Sequence, residues 1–155
     1  MKEPAVSTLR IGVLMALDRD AGELFADARA IEAAGADSLW CDAKDCDPYV
    51  VLASLAAVTW RIRLVARGAA AGAGRRTCEQ LARGRLVVAE EAERTGERWT
   101  LVPFPKDRAA WREARRAAAA DGQTGLVLAN DSRLIDLLRN PDQEDDRADL
   151  NIAVG

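Results

Sequence analysis

The 155-residue chain contains no histidine. That absence removes the side chain that titrates near neutral pH, the most frequent general base, the commonest metal ligand and any imidazole triad. Cysteine is scarce. Cys41, Cys46 and Cys78 are the only thiols, an odd number too sparse for a disulfide scaffold and suited to a reducing compartment. A zinc site on them would need carboxylates to complete it, and the expectation is no metal. A basic excess is lacking too: the formal net charge of -3 opposes the positive field that non-specific nucleic-acid binding requires. No apolar run approaches the ~20 residues of a membrane span, and Met1-Lys2-Glu3-Pro4 does not open a signal peptide. The expected location is the cytoplasm, with neither nucleic acid nor membrane as partner.

What is present is an ordinary globular balance, 49% hydrophobic and 30% charged, with length enough for one α/β domain over residues 1–155. Leu9 to Leu17 is a nearly continuous apolar run, as in a strand buried on both faces. Asp20 with Glu23 forms a capping box for a helix with inner stripe Leu24, Ala28 and Ile31, stopped by Gly35. Asp37–Asp42 reads as the second strand, and Asp47-Pro48 starts a helix through Tyr49–Val58. Arg61–Ala66 reads as the third strand. This β-α-β-α-β spacing implies a parallel sheet with right-handed crossovers and a site beyond the strand C-termini.

Gly68–Gly74 reads as a loop, with Thr77 and Gln80 capping a short helix that ends near Arg83-Gly84. Leu86–Glu91 reads as a fourth strand. After a Glu93–Glu97 turn comes a fifth strand, Arg98–Phe104, and this short link predicts an antiparallel hairpin. Asp107–Asp121 is an amphipathic helix, Thr124–Ala129 a strand, and Asp131–Arg139 a capped helix with an internal Asp131–Arg133 pair. Leu150–Val154 is a seventh strand, and Asp142–Asp149 an acidic surface loop.

Chemistry-bearing residues concentrate near the strand ends. Asp42, Asp45 and Asp47 cluster after the second strand, where Asp47 is a cap and the others are either loop carboxylates or substrate contacts. Gly72-Ala73-Gly74-Arg75-Arg76-Thr77 reads either as an open solvent loop or as an anion site: glycines allow close backbone approach, and the basic residues stand at a helix start. It lacks both the third glycine of a dinucleotide fingerprint and the Gly-Lys-Ser/Thr of a P-loop.

Ala34-Gly35-Ala36-Asp37-Ser38-Leu39-Trp40, the segment from Asp47-Pro48 through Thr59, and Arg61-Ile62-Arg63-Leu64-Val65, at these spacings, resemble the opening of the bacterial luciferase-like, flavin-dependent oxidoreductases. The resemblance implies a (β/α)8 barrel binding FMN or the deazaflavin F420 at its C-terminal mouth. It runs over residues 7–68 and, shortened, over 75–90. A complete barrel takes about 250 residues, so the expectation is an abridged TIM-barrel-like fold: a mainly parallel sheet of about seven strands with surrounding helices. Such a sheet exposes edges, which implies a homodimer with Trp60 and Trp99 at its seam. The implied activity is a flavin- or F420-dependent oxidoreductase or monooxygenase acting on a small organic substrate. Asp42 and Lys44 stand where many members carry a histidine, and they are the expected acid–base residues. Arg67, Gly72, Gly74, Arg75 and Arg76 are the expected cofactor-phosphate residues. Glu90 and Glu91 replace the family's glycine-rich backbone beneath the flavin. That replacement, with the missing histidine, points to the other reading, a non-catalytic member acting through self-association or a protein partner.

Overall fold

The computed structural model describes residues 8–143. Six strands are found among these residues: β1 (Arg10–Leu14), β2 (Ser38–Asp42), β3 (Arg63–Arg67), β4 (Leu86–Val88), β5 (Trp99–Val102) and β6 (Gly125–Ala129). They form one wholly parallel sheet in the order β4-β3-β2-β1-β6-β5. The helices are α1 (Ala21–Ala33), α2 (Pro48–Ala56), α3 (Ala73–Ala82), α4 (Ala89–Arg94), α5 (Arg108–Ala120) and α6 (Leu134–Arg139). Three of them start where carboxylates satisfy first-turn N–H groups. Asp20 accepts from Glu23 N at 3.0 Å, Asp47 from Tyr49 N at 3.0 Å and Asp107 from Ala110 N at 2.7 Å.

Side-chain alternation along the strands separates two faces. Val13, Leu39, Leu64, Leu126 and Leu128 point to one side and join a single core with Leu24 and Ile31 of α1, Leu52 and Leu55 of α2, Cys78 of α3, Trp111 of α5 and Leu134 of α6. Five helices therefore pack on the same face. The opposite face carries Leu14, Trp40, Val65, Val87, Trp99 and Val127, and only α4 reaches it, through Ala89.

That inner face is concave. Trp40 and Trp99 have ring centroids 5.3 Å apart, although β2 and β5 lie three places apart in the sheet. In a flat sheet such strands stand about 14 Å apart. Arg63, on β3, likewise bonds Glu97, just before β5, at 3.0 Å. Two glycines make the inner layer possible. A Cβ at Gly12 would lie 2.4 Å from Trp40 Nε1, and one at Gly125 would lie 2.4 Å from Trp99 Cζ3. The indole N–H groups are satisfied locally, Trp40 by Ser38 Oγ and Trp99 by Glu97, each at 2.8 Å.

The expected parallel α/β order holds, with corrections after residue 68. The fourth strand is only Leu86–Val88, because Ala89 starts α4. Ala89 and Ala92 bury the inner side of that helix while Glu90 stays exposed, a spacing of three that a helix places on one face. The expected hairpin is not formed: β5 pairs parallel with β6, at the other edge of the sheet from β4. The N–H groups of Gly96 and Glu97 donate to the carbonyls of Glu93 and Ala92, closing α4 so that the chain re-enters at the N-terminal side. The third helix begins at Ala73 with Gly72 as N-cap, so Thr77 is not a cap. Its hydroxyl donates back to the Ala73 carbonyl instead. The Asp131–Arg133 pair is present at 3.0 Å, with Arg133 itself in the cap position of α6. Trp99 lies against Trp40 rather than at a seam, whereas Trp60 is 82% exposed. The expected strand Leu150–Val154 lies outside the described residues.

Candidate functional site

The C-terminal ends of β2 and β3 bring Asp42 and Arg67 side by side in register on the inner face. Asp42 is 7% exposed. Its Oδ2 accepts from Arg67 Nε at 2.8 Å and lies 2.7 Å from Nη2, and its Oδ1 accepts from Lys44 N at 3.0 Å. The Lys44 amide, aided by the Arg67 guanidinium and working against burial, holds this carboxyl below the usual aspartate range. A carboxylate with both oxygens engaged and a lowered pKa is an anchor, and a poor base at neutral pH. The Lys44 side chain is exposed, as is Asp45, while Asp47 is committed to capping α2.

The adjacent loop leads into α3. Gly72 provides the N-cap position without a side-chain bond, and Gly74 packs its backbone near Tyr49 Cβ. Arg76 is exposed beside them, over a shallow depression of ≈ 420 Å³ shared with Ala71 and Ala73. Arg75 points elsewhere. Its Nε donates to Glu79 at 2.9 Å, and Nη1 and Nη2 donate to the two oxygens of Glu91 at 2.7 and 3.0 Å. Glu91, then Glu79, raise the Arg75 pKa further, and Arg75 in turn lowers that of Glu91. Glu90 reaches across to accept from Gly68 N at 2.6 Å.

Asp42, Lys44 and Arg67 thus meet directly. Gly72, Gly74 and Arg76 lie on the same end of the sheet at the start of α3, and Arg75 is diverted to α4. The three thiols are unpaired, and Cys41 and Cys78 pack in the outer core. Burial raises all three pKa values, that of Cys78 to about 11, which removes thiolate character at neutral pH. Among the described residues no group of three His, Cys, Asp or Glu side chains is placed to hold a metal ion, and no helix is long and apolar enough to cross a membrane.

Two arginines that sequence reasoning does not single out have unusual settings. Arg85 is clamped on oxygen atoms: Nε donates to the Ala82 carbonyl at 3.0 Å, Nη1 to Thr59 Oγ1 at 2.8 Å and Nη2 to the Ala56 carbonyl at 3.0 Å. Burial lowers its pKa, and the cation sits at the C-terminal ends of α2 and α3, where the helix dipole favours it. Arg63 donates through Nη2 to Glu97, but its buried Nη1 has no acceptor. A groove of ≈ 280 Å³ opens there along β4. Composition and spacing carry no signal for either arginine, since both depend on inter-element register. Comparison with protein-family models, curated proteins and solved structures finds no match to this chain.

Proposed function

We propose that this protein is an abridged parallel barrel of the luciferase-like lineage that takes a flavin, FMN or F420, at its C-terminal mouth, as an oxidoreductase acting on a small organic substrate. The observation that carries the reading is the gathering of Asp42, Lys44, Arg67, Gly72, Gly74 and Arg76 at one end of the sheet. The architecture supports it. From β5 the strands run 5-6-1-2-3-4, the cyclic order of a β/α barrel interrupted between β4 and β5, with helices wound on one face.

The residues fit the two ends of such a cofactor unequally. Gly72, Gly74 and Arg76 suit a phosphate at the start of α3. At the ring end, Asp42 and Arg67 are spent on each other and Glu90 sets a carboxylate against Gly68. The cofactor, when bound, supplies the redox chemistry, and no step of it is assigned here to a side chain. A second reading, favoured by the Glu91 lock on Arg75 and by Glu90, is a cofactor-free protein of the same lineage that acts by self-association. The exposed Trp60 and the β5 edge residue Leu101, 39% exposed, are its contact candidates in a homodimer.

Titration of the full chain with FMN and with F420, read by tryptophan quenching and cofactor emission, tests both. Saturable micromolar binding is expected, weakened about tenfold by Arg76→Ala, in line with loss of one charge-assisted hydrogen bond, and unchanged by Arg75→Ala. Absence of binding by the folded protein refutes the flavin reading. A concentration-dependent dimer that Trp60→Ser dissolves would then support the second.

A further inference from the structure

The free edge of β4 is bounded on one side by α3 and on the other by α4, forming the groove of ≈ 280 Å³. Leu64 N donates to the Arg85 carbonyl. By the alternation of a parallel ladder, residues 85 and 87 therefore face β3, and the N–H groups of Leu86 and Val88 face the open side. The wall is Leu86, Val87, Val88 and Ala92, with Arg63 at one end. The ion pairs at its rim are closed within the chain: Arg63 with Glu97, and Arg75 with Glu79 and Glu91. What is left over in the groove is a pair of edge N–H groups and the buried Arg63 Nη1, which lacks an acceptor.

From these we infer that the β4 groove is a peptide-docking slot, taking an uncharged, extended segment of another protein as an added strand. The chemistry matches on each count. Backbone carbonyls of the added strand accept from the edge N–H groups, as in β-augmentation, and one carbonyl accepts from Arg63 Nη1. Alternate side chains fall toward Leu86 on the α3 side and toward Val87 and Ala92 on the α4 side, so apolar side chains at those positions fit. A charged side chain entering the slot meets no unpaired opposite charge and loses its hydration.

The test uses random heptapeptides displayed on phage, selected on the immobilised full chain, with the enriched sequences then synthesised in end-capped form. The expected result is a set of uncharged, alternating apolar peptides that bind at micromolar concentration and slow amide exchange at Leu86 and Val88. Val88→Pro removes one edge N–H while leaving the β3 ladder intact, proline being tolerated on sheet edges. It is expected to weaken binding about tenfold, as is Arg63→Met. Where Val88→Pro fails to fold, Arg63→Met and the exchange data on the unmodified chain decide. Failure to enrich any peptide overturns the proposal, as does binding indifferent to both substitutions. A homodimer abolished by Val88→Pro also overturns it, because the edge would then belong to a second copy.

Discussion

Single residues carry much of the specification. Gly12 and Gly125 exist where they do because an indole lies over each, and neither position tolerates a methyl group. Gly12→Ala is expected to destabilise the fold by about 1–3 kcal/mol through overpacking, seen as a lower denaturation midpoint in urea. Pairing it with Trp40→Phe is expected to recover part of the loss. Arg85 acts in the opposite sense, holding carbonyls of two helix ends and the Thr59 hydroxyl. Its replacement by Met leaves those acceptors buried without donors, at a cost of about 2–4 kcal/mol in the same measurement. Glu32 is a third anchor, its carboxylate accepting from the N–H groups of Trp60, Arg61 and Ile62 at 2.6 to 3.1 Å. Burial alone would raise its pKa, and the three N–H donors together lower it below the ordinary glutamate value of 4.5. A lowered folded-state pKa means that the stabilisation is whole above the unfolded value and lost as pH falls through the folded one. Glu32→Gln is thus expected to cost about 2 kcal/mol at pH 7. Stability curves of the two proteins should converge as the pH drops below 4.5.

At the scale of elements, legibility followed local chemistry. Asp20, Asp47 and Asp107 announce α1, α2 and α5 because an N-cap acts within three residues of itself. The segment Leu-Val-Val-Ala-Glu-Glu does not declare itself, since a short apolar run serves a strand or a buried helix equally. Only the packing of Ala89 and Ala92 against the inner face decides for α4. The bidentate Arg75–Glu91 link then ties α4 to α3. Both partners are partly exposed, so Arg75→Ala is expected to cost at most about 1 kcal/mol in thermal denaturation, far less than the loss of Arg85. The candidate site was half legible for the same reason. Asp42 and Arg67 can each be placed at a strand end by pattern, but their pairing is a matter of register between β2 and β3.

For the whole molecule, the parallel sheet was readable from the alternation of strands and helices, whereas the position of β5 was not. It follows from an interaction set that spans the sheet, with Glu97 bonded to Arg63 and Trp99 stacked near Trp40. Those contacts curve six strands so that two edges, β4 and β5, remain unpaired among the described residues. Edges of this kind invite partners, and the one beside Arg63 is the more selective.

The tryptophan pair also makes this protein its own gauge. Two indoles 5.3 Å apart with planes inclined by 59° couple their electronic transitions, and such coupling falls steeply with separation. Because the partners belong to strands that meet only while the sheet stays curled, their paired circular-dichroism signal reports curvature itself. Any ligand or added strand that flattens or tightens the sheet would therefore announce its arrival optically, without a label.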